Sequence, residues 1–354
     1  MLTNIRKVDR ADLGRFARDA LAFAKTCDDG RLTHRRLRLH GLDFEAAFAD
    51  PAYADALTRV YAVDDMASTP QRGLRVTVLD ATLVPDMPRC VWSDSVVGGG
   101  PVRDALQVDG LMGVHDPDRD VWLFYDPETG EGVQLMPTPQ TPPPWEASMP
   151  LRLFVHWAMH GISRPLIHAG TLGLGGDCVL LAGPGGAGKS GTTLGGILHG
   201  HASVGDDYVL AELADGEAIT RPILKIMKQD ATGLRRLGLA PEAPIFQGPN
   251  WQGKLEFEFA RLCPSATVPA MRAKAILLPH VSGETRTKAG PASSKEAVLA
   301  LAASSFAQLF GTWRADLVFL ANLCRQLPAW RVDLGTDPAE VSGFIGGVIA
   351  KGHP

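Results

Sequence analysis

Eight consecutive residues, Gly183, Pro184, Gly185, Gly186, Ala187, Gly188, Lys189 and Ser190, have the spacing GxxxxGK[ST] that cradles phosphate groups. Small residues let successive backbone N–H groups turn inward around a β-phosphate, and a following helix points its positive end at the same anion. Lys189 adds a full charge. The Ser190 hydroxyl stands where a magnesium ion bridges the β- and γ-phosphates, and Gly191 completes the candidate binding set. The chemistry this motif supports is binding of a nucleoside triphosphate with its terminal phosphoryl group polarised for in-line transfer.

Sixteen residues past Ser190 come two adjacent carboxylates, Asp206 and Asp207. Neighbouring residues of a strand face opposite sides. One carboxylate can therefore point into the phosphate site while the other turns towards magnesium through water, or towards the backbone. Such a group holds a metal or accepts the proton of an attacking hydroxyl. An isolated pair of aspartates also caps a strand at a turn; the phosphate loop upstream is what favours the functional reading. His168 lies fifteen residues before Gly183, where a hairpin partner of the strand entering the loop would run. A lone histidine is commonly structural, whereas a ring near a γ-phosphate titrates usefully near neutrality.

The elements that must position these groups can be read from their flanks. The segment from Cys178 to Ala182 reads as a short buried strand and that from Ser190 to His199 as a helix, the strand and helix that a phosphate loop requires. Asp206 and Asp207 open the next strand. Leu151 to Gly161, Lys295 to Ala307 and Leu317 to Leu327 have helical spacing, and residues 329 to 334, AWRVDL, read as a strand. Residues 1 to about 60 show apolar residues at helical spacing, first through Leu13, Phe16, Ala17, Leu21 and Phe23, then through Phe44, Ala47, Phe48, Tyr53, Ala56 and Leu57. From 72 to 135 short alternating runs (LRVTVLD, RCVWSD, LMGVHD, VWLFYD) predict a mostly antiparallel sheet. Met136 to Pro144 contains five prolines in nine residues and reads as a stiff connector. The expected division is an N-terminal accessory or substrate-recognition domain over 1–145 and a catalytic domain over 146–354.

Composition narrows the function classes. Of 354 residues, 35 are Lys or Arg and 39 Asp or Glu, a formal charge of −4, so no general basic field recruits nucleic acid or an anionic membrane. Any anionic ligand must be held locally. The five cysteines form no CxxC pair or metal-ligand spacing and fit the reduced thiols of a cytoplasm. The first residues carry charges throughout, and no apolar run approaches the roughly 20 residues of a membrane span, so the expectation is a soluble, cytoplasmic protein.

The stretch from Leu166 to Leu213 resembles the catalytic core of the HPr kinase/phosphorylase family and its HPr-kinase-like relatives. The resemblance rests on a histidine before a hairpin, the loop GPGGAGKS, and a short helix leading to a strand that bears the DD pair. It implies an α/β (α+β) fold with a phosphoenolpyruvate-carboxykinase-like P-loop kinase core, preceded by an N-terminal helix-plus-antiparallel-sheet domain. It further implies ATP and Mg2+ as cofactors, Gly183 to Ser190 on the ATP phosphates, Ser190 assisting magnesium, Asp206 as the base, Asp207 supporting metal or base, and His168 beside the transferred phosphate. Self-association is implied too, because the family forms ring-like oligomers. The EIRGxG signature that bifunctional members carry after the paired-aspartate strand is absent, which points away from HPr as acceptor and from the phosphorylase reaction.

The leading expectation is an ATP-dependent kinase acting on a hydroxyl, Ser or Thr foremost, of a peptide, protein or small molecule. Two further readings stand beside it: a nucleotide-gated regulatory protein without phosphotransfer, and a carboxykinase-like metabolic enzyme. Arg221, Lys225 and Lys254 are candidate phosphate contacts, and Trp251, in QGPNWQGK, is a candidate for the substrate mouth.

Overall fold

The computed structural model describes residues 10–27, 30–64, 69–89, 100–107, 109–138, 144–306 and 308–354. The chain divides into two compact units, Met1–Ile162 with Leu309–Gly311, and Ser163–Gln308 with Thr312–Pro354. Both mix helices with mixed sheets, so the protein is of the α+β class.

The first unit opens with α1 (Arg10–Thr26), whose Leu13, Ala17, Ala20, Leu21 and Ala24 form one buried stripe. A hairpin follows, β1 (Thr33–Leu39) and β2 (Leu42–Phe48), closed by His40 at φ +45° and Gly41 at φ +90°. Two successive residues at positive φ give a turn whose twist matches that of the flanking strands. Phe44, Ala47 and Phe48 are therefore strand residues, which corrects the helical expectation for them. Leu42, Phe44, Ala46 and Phe48 alternate onto a buried face, and that period of two overrides the coincidental helical spacing. The helix begins only at α2 (Pro51–Val60), where the Asp50 side chain accepts from the Ala52 N–H and proline occupies the first turn.

Next come β3 (Arg72–Asp80), α3 (Gly100–Gln107), β4 (Met112–Asp116), β5 (Val121–Asp126), β6 (Glu131–Met136) and α4 (Arg152–His160). The sheet order is β1-β2-β3-β6-β5-β4. Pairing is antiparallel except at β3, which runs parallel to both neighbours, so the sheet is mixed; the antiparallel expectation for 72–135 holds for β4, β5 and β6 but not for β3. The α2 crossover returns the chain in the direction of β2, which a tight hairpin cannot do. The expected strand RCVWSD falls, from Cys90 onward, outside the described residues, as does the connector from 139 to 143. The division between units comes after Ile162, beyond the proline-rich segment. The reason is packing: Trp157 of α4 stacks on Tyr125 of β5 at 5.9 Å between ring centroids.

The second unit contains β7 (Leu166–Ile167), β8 (Gly170–Leu174), β9 (Asp177–Leu181), α5 (Lys189–Leu198), β10 (Val209–Ala214), β11 (Glu217–Pro222), β12 (Ile226–Gln229), α6 (Ala231–Arg236), β13 (Leu255–Glu258), α7 (Phe259–Leu262), β14 (Met271–Val281), β15 (Lys288–Ala292), α8 (Ser294–Phe306), α9 (Trp313–Gln326), β16 (Ala329–Leu334) and α10 (Pro338–Lys351). Eight strands form one sheet. Its hub is β14, parallel to β9 and β16 and antiparallel to β11. Its middle, Ala275 to Leu277, is apolar and buried on successive residues, as a strand covered on both faces requires, while Arg272 and Lys274 alternate with buried Met271 and Ala273 nearer its start. Alternation along β9 sends Cys178 and Leu180 to a core with α8 and α9, and Val179 and Leu181 to a core with α10. β12 and β13 pair separately as a two-stranded ribbon. No helix among the described residues is long and apolar enough to cross a membrane.

Candidate phosphate-binding site

The glycine-rich loop leaves the end of β9 and enters α5, as its flanks predict. Gly186 and Gly188 sit at φ +81° and +101°, conformations that L side chains rarely adopt. A Cβ placed on Gly185 or Gly186 would meet nothing within 4 Å, so the loop is open on that side, whereas on Gly188 it would lie 2.7 Å from Leu334 Cδ1. Gly188 precedes α5 without a side-chain cap, which leaves the first N–H groups of the helix for an anion.

Lys189 is buried and curls back over its own loop, donating to the Gly183 carbonyl at 2.6 Å and the Pro184 carbonyl at 3.2 Å. Burial lowers its pKa; Asp206 and Asp207 oppose that shift, and Lys254 adds to it. Lys254 thus acts on the loop lysine across space. Gly191, the third residue of α5, has the Gln229 amide 3.7 Å from where its Cβ would be.

Asp206 and Asp207 lie in a bend ahead of β10, not within the strand as expected. A buried hydroxyl pair fixes the approach. Thr171 Oγ1 and Ser203 Oγ are 3.0 Å apart; the Val204 N–H donates to Thr171 Oγ1 and the Gly205 N–H to Ser203 Oγ, each at 3.0 Å. The chain then turns so that the two aspartates enter different surroundings.

Asp206 is 5% exposed, and its Oδ1 has no hydrogen-bond partner among the described residues. Burial pushes its carboxyl above the usual range against the hydroxyls of Ser190 and Thr193 and the charge of Lys189, with Asp207 adding to the rise. Asp207 has both oxygens engaged, Oδ2 by Lys228 Nζ at 2.6 Å and Oδ1 by His168 Nε2 at 3.1 Å. Burial pushes this carboxyl up as well, but Lys228 and His168 outweigh it and hold it well below the ordinary range. His168 sits between β7 and β8, just ahead of the hairpin strand, with its backbone N–H on Ser305 Oγ at 3.2 Å.

The fold therefore brings Gly183 to Gly191, Asp206, Asp207 and His168 into one neighbourhood. Arg221 is engaged elsewhere: Glu212 of β10 takes it at 3.5 Å together with Arg164, just ahead of β7, at 3.0 Å. Trp251 is 55% exposed at a turn in which Asn250 Oδ1 accepts from the N–H groups of Gln252 and Lys254. Sequence reasoning missed two groups. Thr193 was findable, since it lies one helical turn after Lys189, whose carbonyl its hydroxyl reaches at 3.0 Å. Lys228 stands 21 residues from Asp207 and carries no local signal. Compared with the models of known protein families and with curated proteins, the sequence matches none.

Proposed function

We propose that the second unit is an ATP-dependent phosphotransferase that moves a γ-phosphoryl group to a hydroxyl of a peptide, protein or small molecule, on a core like that of phosphoenolpyruvate carboxykinase. One observation carries the reading above all: the buried carboxylate of Asp206, with a free Oδ1, stands beside Ser190 and Lys189 of a phosphate-type loop. The residues present suit magnesium-bound ATP. The loop is open at Gly185 and Gly186, the start of α5 offers uncapped N–H groups, and the Asp206 carboxyl, which the Ser190 hydroxyl reaches, keeps its buried Oδ1 without a partner among the described residues.

Magnesium-bound ATP would supply an electrophilic phosphoryl group and a leaving ADP. Backbone N–H groups of Gly185 to Ser190 would orient the phosphates, and Lys189 would exchange the Gly183 and Pro184 carbonyls for phosphate oxygens. Ser190 offers the hydroxyl for the metal. Asp206 Oδ1 would take the proton of the acceptor's hydroxyl while the acceptor's oxygen bonds to phosphorus and ADP leaves with the bridging oxygen. A carboxyl held above its normal pKa is the better base of the two, while Asp207, held low, stays ionised. His168 is positioned through Asp207 at the edge of the site.

The test is transfer of label from γ-labelled ATP to peptide and metabolite pools, with wild type and Asp206→Asn in parallel. The expected result is acceptor labelling by wild type, with a loss of about 10²- to 10⁴-fold in the variant and nucleotide affinity nearly unchanged. Wild-type activity in Asp206→Asn would overturn the assignment. Tight nucleotide binding by wild type without transfer to any pool would favour a nucleotide-gated regulator instead.

A further inference from the structure

Lys228 is a half-buried lysine, 14% exposed in its side chain, on β12, and its ammonium is fixed on Asp207 Oδ2 at 2.6 Å. A pair removed from water in this way contributes little net stability, because desolvation offsets most of the attraction. Its position is more informative. The next residue, Gln229, passes the first turn of α5, where a Cβ on Gly191 would come within 3.7 Å of its amide. β12 therefore runs beside the helix end that faces the phosphate loop, and Lys228 reaches from it to the aspartate pair.

A triphosphate entering beside two adjacent carboxylates would be repelled unless those charges were balanced. Lys189 sits within the loop, and Lys254 is near enough to disfavour its protonation. Lys228 cancels the charge of Asp207 directly. An ammonium has three donors, and the one contact recorded for Lys228 among the described residues is that with Asp207. The remaining two are available to phosphate oxygens.

We infer that Lys228, held in place by Asp207, contacts the terminal phosphoryl group and makes the site prefer nucleoside triphosphate over diphosphate. Asp207 is then the positioning residue for this lysine, with its other oxygen on His168. The inference rests on the phosphotransfer reading above and adds a residue and a selectivity to it. The γ-phosphate is the part that a diphosphate lacks, so loss of Lys228 weakens the triphosphate and spares the diphosphate.

Calorimetry on the full chain with magnesium tests this, using ADP and the non-hydrolysable β,γ-imido analogue of ATP as probes. Wild type, Lys228→Met, Lys228→Gln and Lys228→Arg are compared after thermal melts have shown that each is folded. In Lys228→Met and Lys228→Gln the analogue should bind about ten- to hundredfold more weakly, the effect of one charge-assisted hydrogen bond, with ADP changed by less than about threefold. Lys228→Arg, which keeps the charge, should retain most of the preference. Equal weakening of both nucleotides, or no change in either, overturns the inference while leaving the phosphotransfer reading intact. Wild type that binds neither nucleotide overturns both. Should the uncharged variants fail to fold, the wild type itself decides: comparable affinity for the two nucleotides overturns the inference, and a roughly tenfold or greater preference for the analogue supports it.

Discussion

Lys228 Nζ lies 2.6 Å from Asp207 Oδ2, whereas the adjacent Asp206 keeps Oδ1 without a partner among the described residues. Two neighbours in the chain are thus placed in opposite electrostatic environments, one carboxyl held low by a lysine and a histidine and the other raised by burial. Environments that push two like groups apart are how one site keeps a fixed charge beside a proton acceptor.

The loop geometry at Gly188 makes a sharp prediction. Its φ of +101° and the 2.7 Å approach of Leu334 Cδ1 to an added Cβ exclude a side chain without local movement. Gly188→Ala should lower stability by about 1–3 kcal/mol and weaken nucleotide binding. Urea unfolding and a binding titration on the same variant check it; unchanged affinity would mean that the loop does not hold the phosphates.

Gly170 gives a way to crowd the aspartate without altering it. A Cβ there would stand 2.6 Å from Thr193 Oγ1 and 3.2 Å from Asp206 Oδ1. Gly170→Ala should reduce turnover about ten- to hundredfold by displacing the carboxylate, with nucleotide affinity changed by less than about threefold. The separation of kcat from nucleotide Kd is the measurement.

Glu146 in the first unit predicts a pH dependence of stability. It is buried, and burial raises its pKa although the Tyr53 hydroxyl donates to it at 2.7 Å and the Leu151 N–H at 2.6 Å. A raised folded-state pKa means that the native state binds the extra proton. The contribution is fully present below the unfolded value of 4.5 and is lost as pH rises through the folded value. Stability should fall in that window by at most about 1.4 kcal/mol per pH unit, and Glu146→Gln should remove the slope. Urea titrations from pH 4.5 to 8 show whether it does.

The start of α8 carries a reciprocal cap. Ser293 Oγ accepts from the Glu296 N–H at 3.2 Å, while the Glu296 carboxylate accepts from the Ser293 N–H at 2.9 Å and from its hydroxyl at 2.7 Å. Ser293→Ala should cost about 1 kcal/mol in thermal or urea unfolding. The bonds from Ser293, with Arg331, bring the Glu296 carboxyl down to about 2. Its contribution is present above 4.5 and is lost as pH falls towards 2, so the penalty of Ser293→Ala should shrink in acid.

The glycine-rich loop between β9 and α5, with its entering strand and its leaving helix, is legible in the residues alone, because small-residue spacing and flanking periodicity are local properties. The sequence also marked Asp206, Asp207 and His168 as candidates, since type and distance along the chain suffice for that. Tertiary structure decided the rest. Phe44 and Phe48 satisfy both a helical and an alternating period, and only pairing in the sheet selects the strand. The parallel neighbours of β3 come from distant segments, β2 on one side and β6 on the other, which no local pattern records. Lys228 is one lysine among many until β12 runs beside α5 and carries it to Asp207. The division of labour between the two aspartates is likewise unreadable from an identical pair of letters, because a carboxyl's pKa is set by the groups that the fold brings against it.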